Sequence, residues 1–374
     1  MNRLLKLALC FFTMCTFAQQ TQYVDFKKAD VNVSVDIEKK SVSGLVTYYF
    51  DVLNAVDSVF VDAKNMSFSD VSLDGNEVEY SYDSEKLWIK KKFQPSKNKE
   101  LSISFESSPT KALYFVEKGE ESQVWTQGQG KYTSNWLPSF DDMNEKIEFD
   151  LSIAYDKDYE VVANGKLVNI EEHETTKTWH YNMDMPMSSY LVVLVVGKFN
   201  KQTLSSESGI PIELYYCPED SLKVEPTYRY TKQMFDFLEK EIGYKYPWQV
   251  YKQVPVHDFL YAGMENTSCT IFSDAFVVDE AGFNDRNYVN VNAHELAHQW
   301  FGDLVTAKSG EHHWLQEGFA TYYALLAEQD VFGENYYFWR LYEYAQELQM
   351  QDKMGQGTSL LNPQSSSLTF YKRG

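Results

Sequence analysis

The residues with the clearest potential for chemistry lie between positions 292 and 300. His294 and His298 are four positions apart, with Glu295 beside the first of them, in the pattern H-E-x-x-H. On an α-helix, residues four apart lie on one face with roughly 6 Å between their Cβ atoms, so both rings can offer a nitrogen to one metal ion. A glutamate next to such an ion can act as a general base on water. The pattern therefore predicts a metal-dependent hydrolytic centre on a helix.

A third metal ligand is expected further along the chain, because a catalytic zinc ion has three protein ligands and one open position. Glu317 follows His298 with 18 residues between them and lies near the start of another apolar helical pattern. A carboxylate in so apolar a segment favours a cation as its partner. The sequence thus predicts one zinc ion per chain, bound by His294, His298 and Glu317. The alternative, two core histidines that lie four apart by chance, leaves Glu317 without a role.

A short loop, Gly263-Met264-Glu265-Asn266, precedes this helix. The loop, the H-E-x-x-H motif and the glutamate 18 residues later together resemble the zinc aminopeptidases typified by aminopeptidase N and leukotriene hydrolase. The resemblance implies the zinc ligands named above and a general base and acid at Glu295. It also implies that all four loop residues line the substrate site. The Glu265 carboxylate would pair with the free α-ammonium of a peptide, and the backbone of Gly263 and Met264 would align that peptide as an added strand.

Two further segments resemble the same family less closely. Gln127 and Gln129 resemble a Q-x-Q segment that reaches the α-amine pocket from the amino-terminal domain, although they could instead be exposed polar residues of a strand. Tyr371 begins a segment similar to the family's Tyr-x-Lys-Gly, with Arg373 in place of the usual lysine. The resemblance implies that Tyr371 donates a hydrogen bond to the oxyanion of the transition state.

Two other functions fit parts of this pattern. A zinc endopeptidase of the thermolysin type would share the metal ligands, but it has no use for a loop that binds an α-amine. A non-catalytic peptide-binding fragment would share the loop, but it has no use for Glu295. The sequence therefore favours an aminopeptidase that acts on peptides with a free amino terminus.

Several other groups have ordinary explanations. His312 and His313 precede the third ligand and are expected at the surface or behind the ligands. His257 and Asp258 look like a catalytic pair, but no serine or cysteine nucleophile motif accompanies them. The aromatic residues 336–339 are expected to pack in the core of a helix.

The elements that must position these residues change character along the chain. Apolar and polar residues alternate in segments 31–37, 101–105 and 147–153, which is typical of half-buried strands. Segments 74–76 and 164–165 combine glycine with asparagine, and such segments are typical of hairpin turns. Helical spacing follows. The predicted helices are 230–242 with Gly243 as the C-cap, 289–305, 315–330 and 335–350, with Pro226 at the start of the first.

These patterns predict an α+β protein. The resemblance implies a saddle-like antiparallel β domain at 19–204 and a thermolysin-like zinc catalytic domain at 205–374. In that family a large helical domain follows. We therefore expect the catalytic domain to be incomplete here and the helical part to be missing.

The amino terminus predicts export. Basic Arg3 and Lys6, an apolar run and a small residue at Ala18 are typical of a signal peptide at 1–18, which places the mature protein in the periplasm or outside the cell. No stretch is long enough to form a transmembrane segment. A net charge of −20 repels phosphate backbones, so we expect no nucleic-acid partner. Beyond the signal, Cys217 and Cys269 are expected to be two buried thiols, although one disulfide is arithmetically possible. The oligomeric state is left open.

Overall fold

The computed structural model describes residues 20–355. Its amino-terminal strands are β1 (Val24–Asp36), β2 (Ser41–Val52), β3 (Val59–Asp62), β4 (Met66–Leu73), β5 (Asn76–Glu77), β6 (Tyr80–Tyr82), β7 (Lys86–Ile89), β8 (Ser96–Ser107), β9 (Leu113–Val116), β10 (Gln123–Thr126), β11 (Lys146–Asp156), β12 (Glu160–Ala163), β13 (Lys166–Glu172), β14 (Thr176–Asn182), β15 (Met187–Ser188) and β16 (Leu194–Gly197). The remaining strands are β17 (Asn200–Ser205), β18 (Pro211–Tyr216), β19 (Tyr251–Val256), β20 (Gly263–Met264) and β21 (Cys269–Ser273). The α-helices are α1 (Val224–Tyr228), α2 (Thr231–Ile242), α3 (Val289–His298), α4 (His313–Phe332) and α5 (Glu334–Lys353).

The largest sheet has the strand order β13-β14-β11-β1-β2-β8-β4-β5, with β15 also pairing with β11. The three segments with alternating polarity are confirmed as parts of β1, β8 and β11, and burial along β11 alternates at almost every residue. One face of this sheet therefore lies on the apolar core. The α+β class is confirmed, and the sheet contains one parallel pair, β1 with β11, among antiparallel neighbours.

A second sheet carries the elements nearest to the motifs, in the order β17-β18-β19-β21-β20. Here β19 pairs in parallel with β18 and β21, while the two-residue strand β20 forms one edge. β17 contains the predicted domain boundary at residue 204, and the division into two domains stays a prediction. The helices α2, α3 and α4 pack against one another beside this sheet.

An apolar cluster joins the two regions. Trp125, Leu191 and Val193 from the amino-terminal part pack with Val254 and Met264 from the second sheet. This shared core places the end of β10 next to the loop that contains Glu265.

Two local predictions are wrong. Gly165 does form a turn, with a positive φ of 72°, but β12 and β13 on either side belong to different sheets. The reason is the Asn164 side chain, which donates to the carbonyls of Leu191 and Thr267 and so ties the turn to other elements. Pro226 lies within the short helix α1 and does not start α2, although Gly243 caps α2 with a φ of 71° as predicted.

The aromatic group at 336–339 also differs from the prediction. Phe338 and Trp339 are 57% and 58% exposed, so this turn of α5 does not pack in a core. The helical spacing was sufficient to place the helix, but spacing alone does not show which face meets a partner.

The two cysteines match the expectation. Cys217 and Cys269 are buried free thiols, and burial raises the pKa of each to about 12. Both are therefore protonated at neutral pH. Within residues 20–355, no helix combines the length and apolar character needed to cross a membrane.

Candidate active site

Helix α3 brings the two histidines together. The Nε2 atoms of His294 and His298 lie 3.0 Å apart, with the rings nearly perpendicular. On His298 the other nitrogen, Nδ1, lies 2.9 Å from the carbonyl oxygen of Phe301. A carbonyl can only accept, so Nδ1 carries a proton in this contact. Nε2 is therefore the nitrogen that is left to bind a metal ion.

The helix ends at His298, whereas its sequence pattern predicts a helix to residue 305. Gly302 has a φ of 148°, which side-chain-bearing residues rarely adopt, and a Cβ there would lie 3.1 Å from Nδ1 of His298. The chain therefore turns back directly behind the histidine ring. This turn places the Phe301 carbonyl where it orients the ligand.

Helix α4 supplies the third group, and its geometry fits a zinc ion. The Oε2 atom of Glu317 lies 3.4 Å from Nε2 of His294 and 3.6 Å from Nε2 of His298. Ligands of a tetrahedral zinc ion at about 2.0–2.1 Å are spaced roughly 3.3 Å from one another. The observed spacings of 3.0, 3.4 and 3.6 Å bracket that value. Two imidazoles and one carboxylate are also a donor set that catalytic zinc accepts.

The electrostatics of this pocket favour a positive charge. Burial alone would lower the pKa of His298, but the carboxylates of Glu317 and Glu265 hold it well above its ordinary value. Burial would likewise raise the pKa of Glu317, yet the charge of His298 and hydrogen bonds from the neighbouring histidines hold it well below. His298 and Glu317 therefore stabilise each other's charged forms, whereas burial lowers the pKa of His294.

Glu295 faces the same space from the adjacent position of α3. It is 2% exposed, and burial raises the pKa of its carboxyl well above the ordinary value. A Cβ on Gly263 would lie 2.6 Å from Oε1 of Glu295, so any larger residue would force the Glu295 side chain or β20 to shift. Glycine at this position thus places the edge strand against the group predicted to move protons.

Glu265 follows in the same loop and is 1% exposed. Ligand atoms of Glu265, Glu295 and His298 all lie within 4.8 Å of one another. The loop itself is held by Gln299, whose Nε2 donates to the Glu265 carbonyl at 3.1 Å and whose Oε1 accepts from the Ser268 amide at 2.8 Å. The residue that directly follows α3 therefore fixes the position of the Glu265 loop.

Asn266 is buried in the same loop, and its side chain donates to the carbonyl of Leu191 at 3.2 Å. It thereby fastens the loop to the amino-terminal region. Its predicted contact with substrate stays a prediction.

The amino-terminal region reaches the site through both predicted glutamines. Gln127 and Gln129 are 3% and 5% exposed, so they are not exposed strand residues. The Nε2 atom of Gln127 lies 3.4 Å from Sδ of Met264, and that of Gln129 lies 3.1 Å from Nε2 of His313. Both side chains are therefore directed at the motifs of the second region.

Sequence reasoning missed some of the residues that support this site. Gln299 directly follows His298, and a polar residue in so apolar a segment could have marked it. Gln316 donates to the hydroxyl of Tyr190 at 3.1 Å, a contact between regions that no local pattern signals. His257 pairs with Asp274 at 2.8 Å and not with Asp258. Tyr371 lies outside the described residues.

Two family models match this chain. The model described as "Peptidase M1 N-terminal domain" matches residues 23–191, and the model described as "Peptidase family M1 domain" matches residues 227–368. Together they cover both regions described above.

The chain is also similar to several proteins named as aminopeptidases. The chain is 31% identical to glutamyl aminopeptidase of Bos taurus over 229 residues, which are 58% of this chain and 24% of the relative. It is 27% identical to aminopeptidase N of Lactobacillus helveticus over 328 residues, 84% of this chain and 38% of the relative. It is also 27% identical to leucyl aminopeptidase of Saccharolobus solfataricus over 296 residues, which are 77% of this chain and 37% of the relative. The matched part of this chain thus spans between 24% and 38% of the length of these relatives.

Proposed function

The chain belongs to peptidase family M1, and on that premise we propose that it is a zinc-dependent aminopeptidase that removes the first residue of peptides. The observation that supports this most strongly is the position of Glu265. Its carboxylate is buried within 4.8 Å of ligand atoms on Glu295 and His298. An α-ammonium bound there would lie about one residue from the bond to be cut. An internal segment of a peptide has no such charge to offer.

The names of the relatives support the same activity, since the three described above are aminopeptidases. They do not agree on the preferred first residue. The proposal therefore covers peptides with a free amino terminus and leaves the side-chain preference open.

His294, His298 and Glu317 would hold the zinc ion. When bound there, zinc would polarise the scissile carbonyl and lower the pKa of a water molecule. Glu295 takes the proton of the attacking water on its carboxylate and later gives it to the leaving amine. Glu265 binds the α-ammonium, and the edge strand β20 offers backbone groups to the peptide as it extends along the sheet.

The test compares peptides that differ only in acetylation of the amino terminus. Glu265→Gln keeps the shape of the side chain and removes its charge. On the free peptide kcat/KM should therefore fall, which corresponds to a rise of about 2–5 kcal/mol in the activation free energy. Cleavage of the acetylated peptide should be negligible in both proteins. Glu219→Gln, at an exposed carboxylate, is the matched control and should leave both rates unchanged.

Two results would contradict the proposal. Equal cleavage of free and acetylated peptides by the unaltered protein would instead indicate an endopeptidase. If the ratio of kcat/KM for the free peptide to that for the acetylated peptide is the same in Glu265→Gln as in the unaltered protein, Glu265 does not bind the α-amine.

We also propose that the protein is exported and cut after Ala18. The basic start, the apolar run and the small residue at the cleavage point support this. Amino-terminal sequencing of protein purified from its own host should begin at Gln19. Recovery of Met1 on most of the protein would contradict export.

A further inference from the structure

The Glu265 loop, residues 265–268, holds its position without any bond to the Oε1 atom of the Glu265 carboxylate. Within the described residues, this buried oxygen has no hydrogen-bond partner. Ser268, at the end of the loop, has a φ of 64°, a left-handed conformation that a residue with a side chain keeps only when its surroundings enforce it. The direction of the carboxylate therefore depends on the contacts that hold the loop backbone.

One set of these contacts comes from the first region, at the turn between β12 and β13. The Nδ2 atom of Asn164 donates to the carbonyl of Thr267 at 2.8 Å, and the backbone amide of Gly165 donates to Oγ of Ser268 at 2.7 Å. All four residues are buried, which strengthens both bonds. The last two residues of the loop are thus fixed to a turn that is 103 residues away in sequence.

The side-chain amide of Asn164 can point only one way. Its Oδ1 atom accepts from the backbone amide of Val193 at 2.7 Å. Its Nδ2 atom donates to the Leu191 carbonyl at 3.0 Å as well as to Thr267. A backbone amide only donates and a carbonyl only accepts, so these partners fix which atom is oxygen and which is nitrogen. Asparagine uses one acceptor and two donors here, a combination that aspartate and leucine, residues of similar size, lack.

The turn is itself held on both sides. Lys252 on β19 is 1% exposed, and its Nζ atom donates to the carbonyls of Ala163 and Gly165. The backbone amide of Lys252 donates to the Ser268 carbonyl at 2.9 Å. A Cβ at Gly165 would lie 2.1 Å from the carbonyl oxygen of Asn182, so the turn lies directly against β14. The turn, the Glu265 loop and β19 therefore form one connected group of buried hydrogen bonds.

We propose that Asn164 is a positioning residue of the amine site: its bond to Thr267 holds the Glu265 loop so that the carboxylate meets the α-ammonium of a peptide. The proposal rests on the function proposed above, because it assumes that Glu265 binds this ammonium. Asn164 acts through the loop and does not touch the substrate. Its physical basis is that binding and catalysis require close placement, and a displacement of about 1 Å can cost about 100-fold in rate.

The first measurement separates amine binding from metal binding in the zinc-loaded protein. The inhibition constant of n-butylamine, measured against cleavage of a free peptide, reports on the amine site. The inhibition constant of acetohydroxamate, which binds zinc and carries no amine, reports on the metal. In Asn164→Ala the constant for butylamine should rise about 10–100-fold, while that for acetohydroxamate should stay within about twofold. An inhibition constant does not depend on the fraction of folded protein, so lower stability alone cannot produce this difference.

Two further variants accompany Asn164→Ala. Ser268→Ala removes the acceptor of the Gly165 amide and leaves Asn164 intact, so it tests the same support even if Asn164→Ala does not fold. Its butylamine constant should rise about 2–10-fold, as expected for one lost hydrogen bond. Tyr181→Phe is the matched control, because it removes a buried hydrogen bond to the Val161 carbonyl that does not involve the loop. Both inhibition constants should be unchanged in this control.

The second measurement requires no activity. Hydrogen exchange followed by mass spectrometry reports how often the backbone of residues 265–269 opens, since the amides of Ser268 and Cys269 are both hydrogen-bonded there. Exchange of this segment should be about 10-fold faster in Asn164→Ala than in the unaltered protein. In Tyr181→Phe it should be unchanged.

Three results would overturn the proposal. They are an unchanged butylamine constant in Asn164→Ala and Ser268→Ala, an equal rise of both inhibition constants, and an unchanged exchange rate of the loop. A failure of the aminopeptidase proposal is seen separately, as equal cleavage of free and acetylated peptides by the unaltered protein. The exchange rates would still show in that case whether Asn164 holds the loop.

Discussion

The two regions of this molecule bury charge very differently. Among the described residues up to Gly197, the buried carboxylates are Asp62 and Glu145. From residue 198 to residue 355, where the description of the structure ends, five carboxylates are buried, namely Glu265, Glu295, Asp303, Glu317 and Glu328. Three of these five belong to the candidate active site. The first region has an apolar core that stabilises the fold, while the second accepts the desolvation cost of charges that a reaction can use.

The comparison explains how the regions depend on each other. Charged groups inside a protein are stable only when they are paired, hydrogen-bonded or bound to a cation. The second region provides such partners for Glu317 within itself, through the histidines of α3. The first region adds contacts from Gln127 to Met264 and from Gln129 to His313. Substitutions in the two regions should therefore have separable effects on metal, turnover and stability.

The largest effect is expected from His298→Ala. This change leaves two of the three predicted ligands and a buried carboxylate without its cationic neighbour, so zinc content should fall well below one equivalent and turnover to background. Metal analysis of the purified variant, together with an assay on a free peptide, gives both results. Zinc near one equivalent in this variant would rule out the predicted set of ligands.

Glu295→Gln should reduce turnover and leave the metal in place. The amide cannot take up the proton of the attacking water, so kcat should fall about 10²–10⁴-fold. The zinc dissociation constant should stay within a few-fold of the unaltered value, because Glu295 is not among the predicted ligands. Loss of zinc with loss of activity would instead place Glu295 on the ion.

Phe149→Ala tests whether the apolar core of the first region stabilises the fold without affecting the metal site. Phe149 lies on β11 with its side chain fully buried in the core. Its truncation should lower the free energy of unfolding by about 3–5 kcal/mol, seen as a lower midpoint in urea. Zinc stoichiometry of the folded protein should not change. The adjacent Glu148→Ala, on the opposite face of the strand, should shift stability by about 0.5 kcal/mol or less.

The sequence allows the metal-binding group to be predicted because the relevant distances are local. The spacing of His294 and His298 follows from helix geometry, and Glu317 was recognisable as a carboxylate in an apolar helix. The strands were predictable from their alternation for a similar reason: each pattern repeats within a few residues.

The rest depends on contacts that no local pattern contains. The end of α3 at His298 follows from the tight turn at Gly302, which packs against the ligand ring. The contact between Gln129 and His313 joins residues that are 184 positions apart in sequence. The exposure of Phe338 and Trp339 likewise depends on which elements pack against α5, and the spacing of aromatic residues does not contain that information.

The smallest effect is expected at Glu145, where the first region buries a carboxylate at the start of β11. Its Oε1 accepts from the Phe26 amide at 3.3 Å, and burial, with the nearby charges of Asp25 and Asp142, raises its pKa to about 8. Because the folded pKa lies above the unfolded value near 4.5, the folded state binds the proton more tightly. The stability contributed by protonated Glu145 is therefore full below about pH 4.5 and is lost as the pH rises through about 8.

Glu145→Gln removes this titration and keeps an acceptor for the Phe26 amide. Between about pH 5 and about pH 9, the free energy of unfolding of the variant should therefore rise relative to the unaltered protein, by about 1–3 kcal/mol. Urea unfolding at several pH values measures the difference, and any titration at the metal site cancels because both proteins share it. A difference that stays constant with pH would mean that Glu145 is already ionised in the folded protein. The amino-terminal region would then bury a charge as the second region does, and the contrast between them would fail.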